Sequence, residues 1–212
     1  MKYDDLVRLA GELPLIDTPT LRALGAEPRG LSVQLSRWAA SGKLVQLRRG
    51  AYLLPAHLRR GRVPAERLAN LLVRPSYVSL ERALSIHGLI PEAVPLVQSV
   101  TTGRPARLST PAGEFVFRHV KRGWFFGYEE LEVGGDRALV ARPEKALLDL
   151  VYLSPGEHTE ARLEELRLQG LDRLDLHELA RLAEASGWPR VVRAARRLGE
   201  LALREEREAV TL

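Results

Sequence analysis

Residues 31–54, LSVQLSRWAASGKLVQLRRGAYLL, decide the fold. They hold an amphipathic run with a tryptophan on its apolar side, then a Ser41-Gly42-Lys43 stop. Two short apolar runs follow, around the basic turn Arg48-Arg49-Gly50. At about 100° per residue, Leu31, Leu35 and Trp38 fall within about 60° of one another and form one buried stripe. The opposite side carries Val33, Ser36, Arg37 and Ala40. Small side chains there allow close approach to a DNA groove, an arginine can fork onto guanine, and a valine can meet a thymine methyl. Arg29 precedes the helix, where it is placed to clamp a phosphate. Gly42 supplies a left-handed stop, and Lys43 sits near the negative end of the helix dipole. A helix followed by a basic-tipped hairpin is the order of a recognition helix and its wing.

The upstream residues extend this reading. Residues 2–13 place Leu6, Leu9 and Leu13 at helical spacing. Thr18-Pro19 reads as an N-cap followed by proline at the first helical position. Leu21 and Leu24 supply the inner face of that second helix, and Gly25 ends it. Three short helices and a hairpin predict a winged helix-turn-helix DNA-binding domain over residues 1–58. The plainer alternative is a small helical domain whose basic loop is merely solvated.

Charge divides the chain. Residues 1–62 hold 11 Lys+Arg against 5 Asp+Glu, net +6, and residues 63–212 hold 21 against 22, net −1. The whole basic excess therefore lies in the segment expected to bind DNA, as phosphate neutralisation requires. At 212 residues and 45% hydrophobic, the chain is long enough to bury a sizeable core and to form two domains. It has no cysteine, which excludes disulfides and thiolate zinc sites. The start MKYDDLVRLAGEL is acidic and amphipathic, unlike a signal peptide, and no apolar run is long enough to span a membrane. A soluble, cytoplasmic protein is expected.

The boundary is expected at residues 55–64, PAHLRRGRVP, a polar basic stretch broken by Pro and Gly. Beyond it, residues 64–73 read as a helix. Residues 77–89 read as an extended segment, a Ser79 N-cap and a helix stopped by Gly88. Residues 97–102 form a candidate strand. Residues 107–110 and 114–120 pair about Pro111-Ala112-Gly113, and 129–133 and 137–141 about Gly134-Gly135-Asp136. Pro143 opens a helix over 144–152. The last part is helical. Asp175-Leu176-His177-Glu178 reads as a capping box for a helix reaching Ala185. Pro189 starts another, with Val191, Val192, Ala195 and Leu198 on its apolar stripe and Arg190, Arg193, Arg196, Arg197 and Arg204 on its flank. The fold class is thus α+β: an N-terminal winged helix-turn-helix, then a mixed α+β domain over 64–212 with a helical tail from about residue 156.

Six blocks in order then resemble the AbiEi family of antitoxins: RWAASGKLVQLRRGAYLLP, YVSLERALSIHGLIPE, SVTTGRP, FRHV, WFFG and ARPEKALLDLVY. The resemblance spans roughly residues 1–155, and the chain is short beside full-length members. That family regulates abortive-infection, or viral-defence, operons. The resemblance implies an N-terminal winged helix that binds inverted repeats in its own promoter and represses the operon. It also implies a C-terminal domain that counters a nucleotidyltransferase toxin in the type IV manner, without a stable complex. On this chain the DNA contacts so implied fall on Arg29, Ser32, Ser36, Arg37, Lys43, Arg48 and Arg49. Antitoxic activity falls within residues 65–212, with Arg82, His87, Arg104, Arg118, His119, Glu144, Lys145 and Asp149 as the candidates expected at the surface.

Other chemistries are weighed against this. Glu144-Lys145 preceded by Asp136 has the ingredients of an acid–acid–lysine nuclease centre. Such centres place one residue between Glu and Lys on a strand, whereas here the two are adjacent and open a helix. No catalytic residue, metal site or cofactor is therefore expected. His57, His87, His119, His158 and His177 show no metal-ligand spacing, and no phosphate-binding glycine loop or nucleophile elbow is present. His87 reads as a helix C-terminal residue and His119 as a surface residue. Trp124-Phe125-Phe126 reads as core, with a partner-binding anchor as the alternative. Two further function classes stay open: a ligand-responsive winged-helix transcription factor, and a nuclease-like enzyme targeted by its winged helix.

Overall fold

Helical periodicity in the first forty residues resolves into three helices in the computed structural model, which describes residues 1–27, 29–154 and 166–210. Helix α1 (Tyr3–Ala10) buries Leu6 and Ala10 and stops at Gly11, short of the expected residue 13. Strand β1 (Ile16–Asp17) leads directly into α2 (Thr18–Ala23). The cap of α2 is Asp17, not Thr18: its carboxylate accepts from the Thr20 amide at 2.7 Å. An ionised carboxylate is the stronger acceptor at a helix start, and it moves Thr18 and Pro19 into the first turn. Helix α3 (Leu31–Ala40) buries Leu31 and Leu35.

Strands β2 (Val45–Arg48) and β3 (Ala51–Leu53) form the expected hairpin, and β1 adds to it in the order β1-β3-β2, all antiparallel. Successive strand residues point to opposite faces, and β3 is buried on both. Tyr52 packs with Leu6, Ile16, Leu21, Leu31, Leu35, Leu44 and Leu54 under the three helices. Ala51 and Leu53, with Leu15 and Leu47, belong instead to the larger core that runs through the rest of the chain.

The basic stretch after Leu54 is a held segment. A 3-10 turn over Ala56–Leu58 packs Leu58 against the first core, and the Arg60 amide donates to the Gly11 carbonyl. Helix α4 (Ala65–Leu72) follows, then β4 (Ser76–Val78), α5 (Leu80–Ile86), β5 (Val97–Thr101), β6 (Ala106–Thr110), β7 (Gly113–His119), β8 (Tyr128–Val133), β9 (Asp136–Ala141) and α6 (Pro143–Leu153). The six strands make one sheet, ordered β6-β7-β5-β4-β9-β8. A hairpin closes each edge, and β5 and β4 join them: β5 is parallel to β7, and β4 is antiparallel to β5 and parallel to β9. The central strand β4 is buried throughout, while edge strand β6 alternates and edge strand β8 does so from Glu130 onward, as sheet position demands. Gly134 and Gly135 both take positive φ, which lets Val133 pair with Asp136 across a two-residue turn.

Helices α7 (Leu176–Ala185) and α8 (Pro189–Val210) complete the described structure. The expected tail therefore falls partly at 156–165 and 211–212, outside the described residues, as does His158. The α7 cap forms by half. Asp175 accepts from the Glu178 amide at 2.9 Å, but Glu178 turns outward to Arg181, and the Asp175 amide donates instead to Glu144 Oε1 at 2.9 Å. Ser79 precedes α5 as expected but makes no side-chain cap. Its hydroxyl is used elsewhere, as follows.

Candidate nucleic-acid interface

Helix α3 turns Ser32, Val33, Ser36, Arg37 and Ala40 to solvent, as its periodicity predicts. It is capped by Gly30 in the left-handed region (φ 71°), so no side chain satisfies the first-turn amides, and that turn holds no carboxylate. The positive end of the helix dipole is left open beside exposed Arg29, an arrangement that favours phosphate. At the other end, exposed Lys43 lies 5.1 Å over the Tyr3 ring, and the Tyr3 hydroxyl donates to the Lys43 carbonyl at 2.8 Å. Tyr3 in turn meets Trp38 edge-on at 5.5 Å, which fixes α1 against α3. The hairpin tip presents Arg48 and Arg49 to solvent. Ser36 Oγ lies 3.3 Å from Tyr52 Oη, tying the outer side of α3 to strand β3. All seven residues expected to touch DNA are thus exposed, on α3, its approach or the hairpin.

The second set of candidates separates into two groups. Arg104, Arg118 and His119 are exposed. His119 Nδ1 lies 2.8 Å from the Gly103 carbonyl, which gathers the three at one end of β5 and β7. Of the others, Arg82 and His87 are half-buried and already engaged. Arg82 is spent on an ion pair with buried Glu66 and on the Val94 carbonyl at 2.5 Å. His87 Nε2 lies 2.8 Å from the Ala141 carbonyl. Glu144, Lys145 and Asp149, expected at the surface, are buried, and Lys145 and Asp149 are fully so.

These last two form an ion pair one helical turn apart on α6. Asp149 accepts from the Tyr77 hydroxyl at 2.9 Å, the Ser79 hydroxyl at 2.7 Å, the Trp124 indole at 2.7 Å and the Lys145 ammonium. The ammonium sits 4.0 Å from the Trp124 ring centre, with Phe126 and Tyr77 beyond at 5.2 and 5.6 Å. Burial lowers the lysine pKa, opposed by the charge and hydrogen bond of Asp149. Trp124 is core, as the aromatic cluster suggested.

Burial, then the Asp149 charge and hydrogen bond, push the Tyr77 hydroxyl far above its ordinary value. The unfolded chain releases this proton near pH ~10 and the folded chain does not, so stability falls as pH rises past ~10. Tyr77→Phe is expected to cost about 1.5–3 kcal/mol at neutral pH. The gap from wild type should narrow at about pH 11, because the variant lacks the titrating group. Urea unfolding at both pH values checks this, and a constant gap would contradict it.

Three helices with the third exposed, followed by a basic hairpin, make a helix-turn-helix-like unit of the kind found in DNA-binding regulators. Residues 4–55 match the family model described as transcriptional regulator, AbiEi antitoxin, so the likeness read from the sequence holds over that segment. The other five blocks lie wholly beyond the match. No curated protein matches the chain.

The basic charge of the linker continues that of the hairpin. Residues 28–65 contain eight Lys and Arg and no Asp or Glu, so the carboxylate-free run outlasts the hairpin and includes Arg59, Arg60 and Arg62.

Proposed function

We propose that this chain is a DNA-binding antitoxin and autorepressor of a type IV abortive-infection system. Residues 1–58 act as a winged helix-turn-helix that reads inverted repeats in its own promoter, with α3 in the major groove and the hairpin as the wing. Residues 64–212 counter a nucleotidyltransferase toxin, with Arg104, Arg118 and His119 as the exposed candidates for that role. The observation that carries the reading is the exposure of all seven expected contact residues on a segment that matches the AbiEi regulators.

A mobility shift on the DNA upstream of the chain's own gene, against scrambled competitor at two salt concentrations, tests it. Specific, salt-sensitive shifts in two steps are expected, one for each half-site. Equal binding to the scrambled DNA would remove the operator-reader role. Arg48→Ala with Arg49→Ala should weaken specific and scrambled DNA alike and reduce the salt slope by about 2, roughly 1 for each phosphate contact. Loss confined to the cognate site would mean that the hairpin reads sequence.

A further inference from the structure

The segment that joins the two cores borders a cleft of about 720 Å³. Its walls come from both parts of the chain: Val45 and Leu53 at the hairpin base, Leu68 of α4, and Pro111-Ala112 at the β6–β7 turn. Arg59, Arg60 and Arg62 supply its charge, and among the described residues no carboxylate lines it. Arg60 pairs with Glu12, but both side chains are largely exposed, so that pair is weak and readily exchanged. A linker needs no charge to connect two units, yet this one places three guanidiniums within four residues beside an apolar wall.

We propose that this cleft binds a soluble phosphorylated ligand of the nucleotide class. The guanidiniums match phosphate oxygens in forked geometry, and the Val45, Leu53 and Pro111 surface takes the flat apolar body. The volume is that of an ordinary small-molecule site. The phosphodiester backbone of nucleic acid shares the same phosphate chemistry. The cleft, however, is walled by Val45 and Leu53 at the base of the hairpin, whereas the arginines expected on DNA stand at its tip. Because the walls come from both cores, an occupied cleft adds to the packing that Leu47, Ala51 and Leu53 of the hairpin already make with the larger core. This makes the ligand a regulator of DNA binding, a consequence that rests on the proposed function; the site itself does not.

Calorimetric titration of the full chain with ATP, in the absence of DNA, tests the site. Saturable binding is expected, weakened at least about tenfold in Arg59→Gln/Arg62→Gln by loss of two charge-assisted donors. Ala56→Glu, which sets a carboxylate at an exposed lining position, should weaken it similarly. Arg48→Ala/Arg49→Ala should bind ATP as wild type does. No saturable binding, or equal loss in the hairpin variant, overturns the proposal, the latter by showing only a diffuse basic surface. A double variant that keeps ATP affinity but loses scrambled-DNA affinity also overturns it, in favour of the nucleic-acid backbone. Failure of operator binding with ATP binding intact would instead fall on the proposed function alone.

Discussion

Asp149→Ala is expected to lower the unfolding free energy by about 3–5 kcal/mol, the range for removing one partner of a buried ion pair. Lys145 and Asp149 are both fully buried, so neither can turn to water when the other is lost. The stranded ammonium would be left beside the rings of Trp124, Phe126 and Tyr77. Such contacts contribute about 2 kcal/mol when desolvated and do not replace an anion. Three further donors, on Tyr77, Ser79 and Trp124, would lose their acceptor in the same step. Lys145→Met should be milder, because the carboxylate keeps those three donors and the lysine stem is replaced by an apolar chain of similar length. Urea unfolding followed by circular dichroism gives both numbers. If Asp149→Ala lies within about 1 kcal/mol of wild type, or is milder than Lys145→Met, the pair does not hold the core as described.

The same pair shows where the sequence stops being readable. On α6, Lys145 and Asp149 stand four residues apart, the spacing of an ordinary solvated helix pair. Their burial is decided by Tyr77, Ser79 and Trp124, which approach from 25 to 72 residues away in the chain. Ser79 shows the cost of local reasoning: it stands where a cap belongs, but a buried carboxylate is the stronger partner for its hydroxyl. Arg82 misleads in the same way, because Glu66 and Val94 reach it only through the fold. By contrast, α3 and the glycine-turned hairpins are fixed by short-range periodicity and turn chemistry, and their limits were read to within a residue or two. The exposure of Ser32, Ser36 and Arg37 is legible for that reason: exposure on a short amphipathic helix is a local property. Arg59, Arg60 and Arg62 were legible as charge but not as a cleft, since its far wall, Pro111-Ala112, belongs to another hairpin.

Arg37→Ala is expected to cost about 1–3 kcal/mol of operator affinity, roughly five- to 150-fold, with a much smaller loss on scrambled DNA. The argument rests on what holds the side chain. Arg37 is exposed in the last turn of α3, its carbonyl accepts from the Ser41 amide at 3.0 Å, and its side chain makes no hydrogen bond or ion pair within the described residues, so its guanidinium is free to fork onto a base. Its position is nevertheless set, because Leu31 and Leu35 anchor α3 in the first core and Ser36 beside it meets Tyr52 of the hairpin. A free head on a fixed backbone is what direct readout requires, whereas a phosphate clamp needs only proximity. Arg37→Lys separates the two roles: lysine keeps the charge but loses the fork. It should therefore restore scrambled-DNA binding and salt dependence while leaving much of the specificity loss in place. Titrating cognate and scrambled duplexes with both variants decides the matter. Full rescue of specificity by lysine would assign Arg37 to the phosphate backbone and leave base reading to the smaller side chains around Val33 and Ala40.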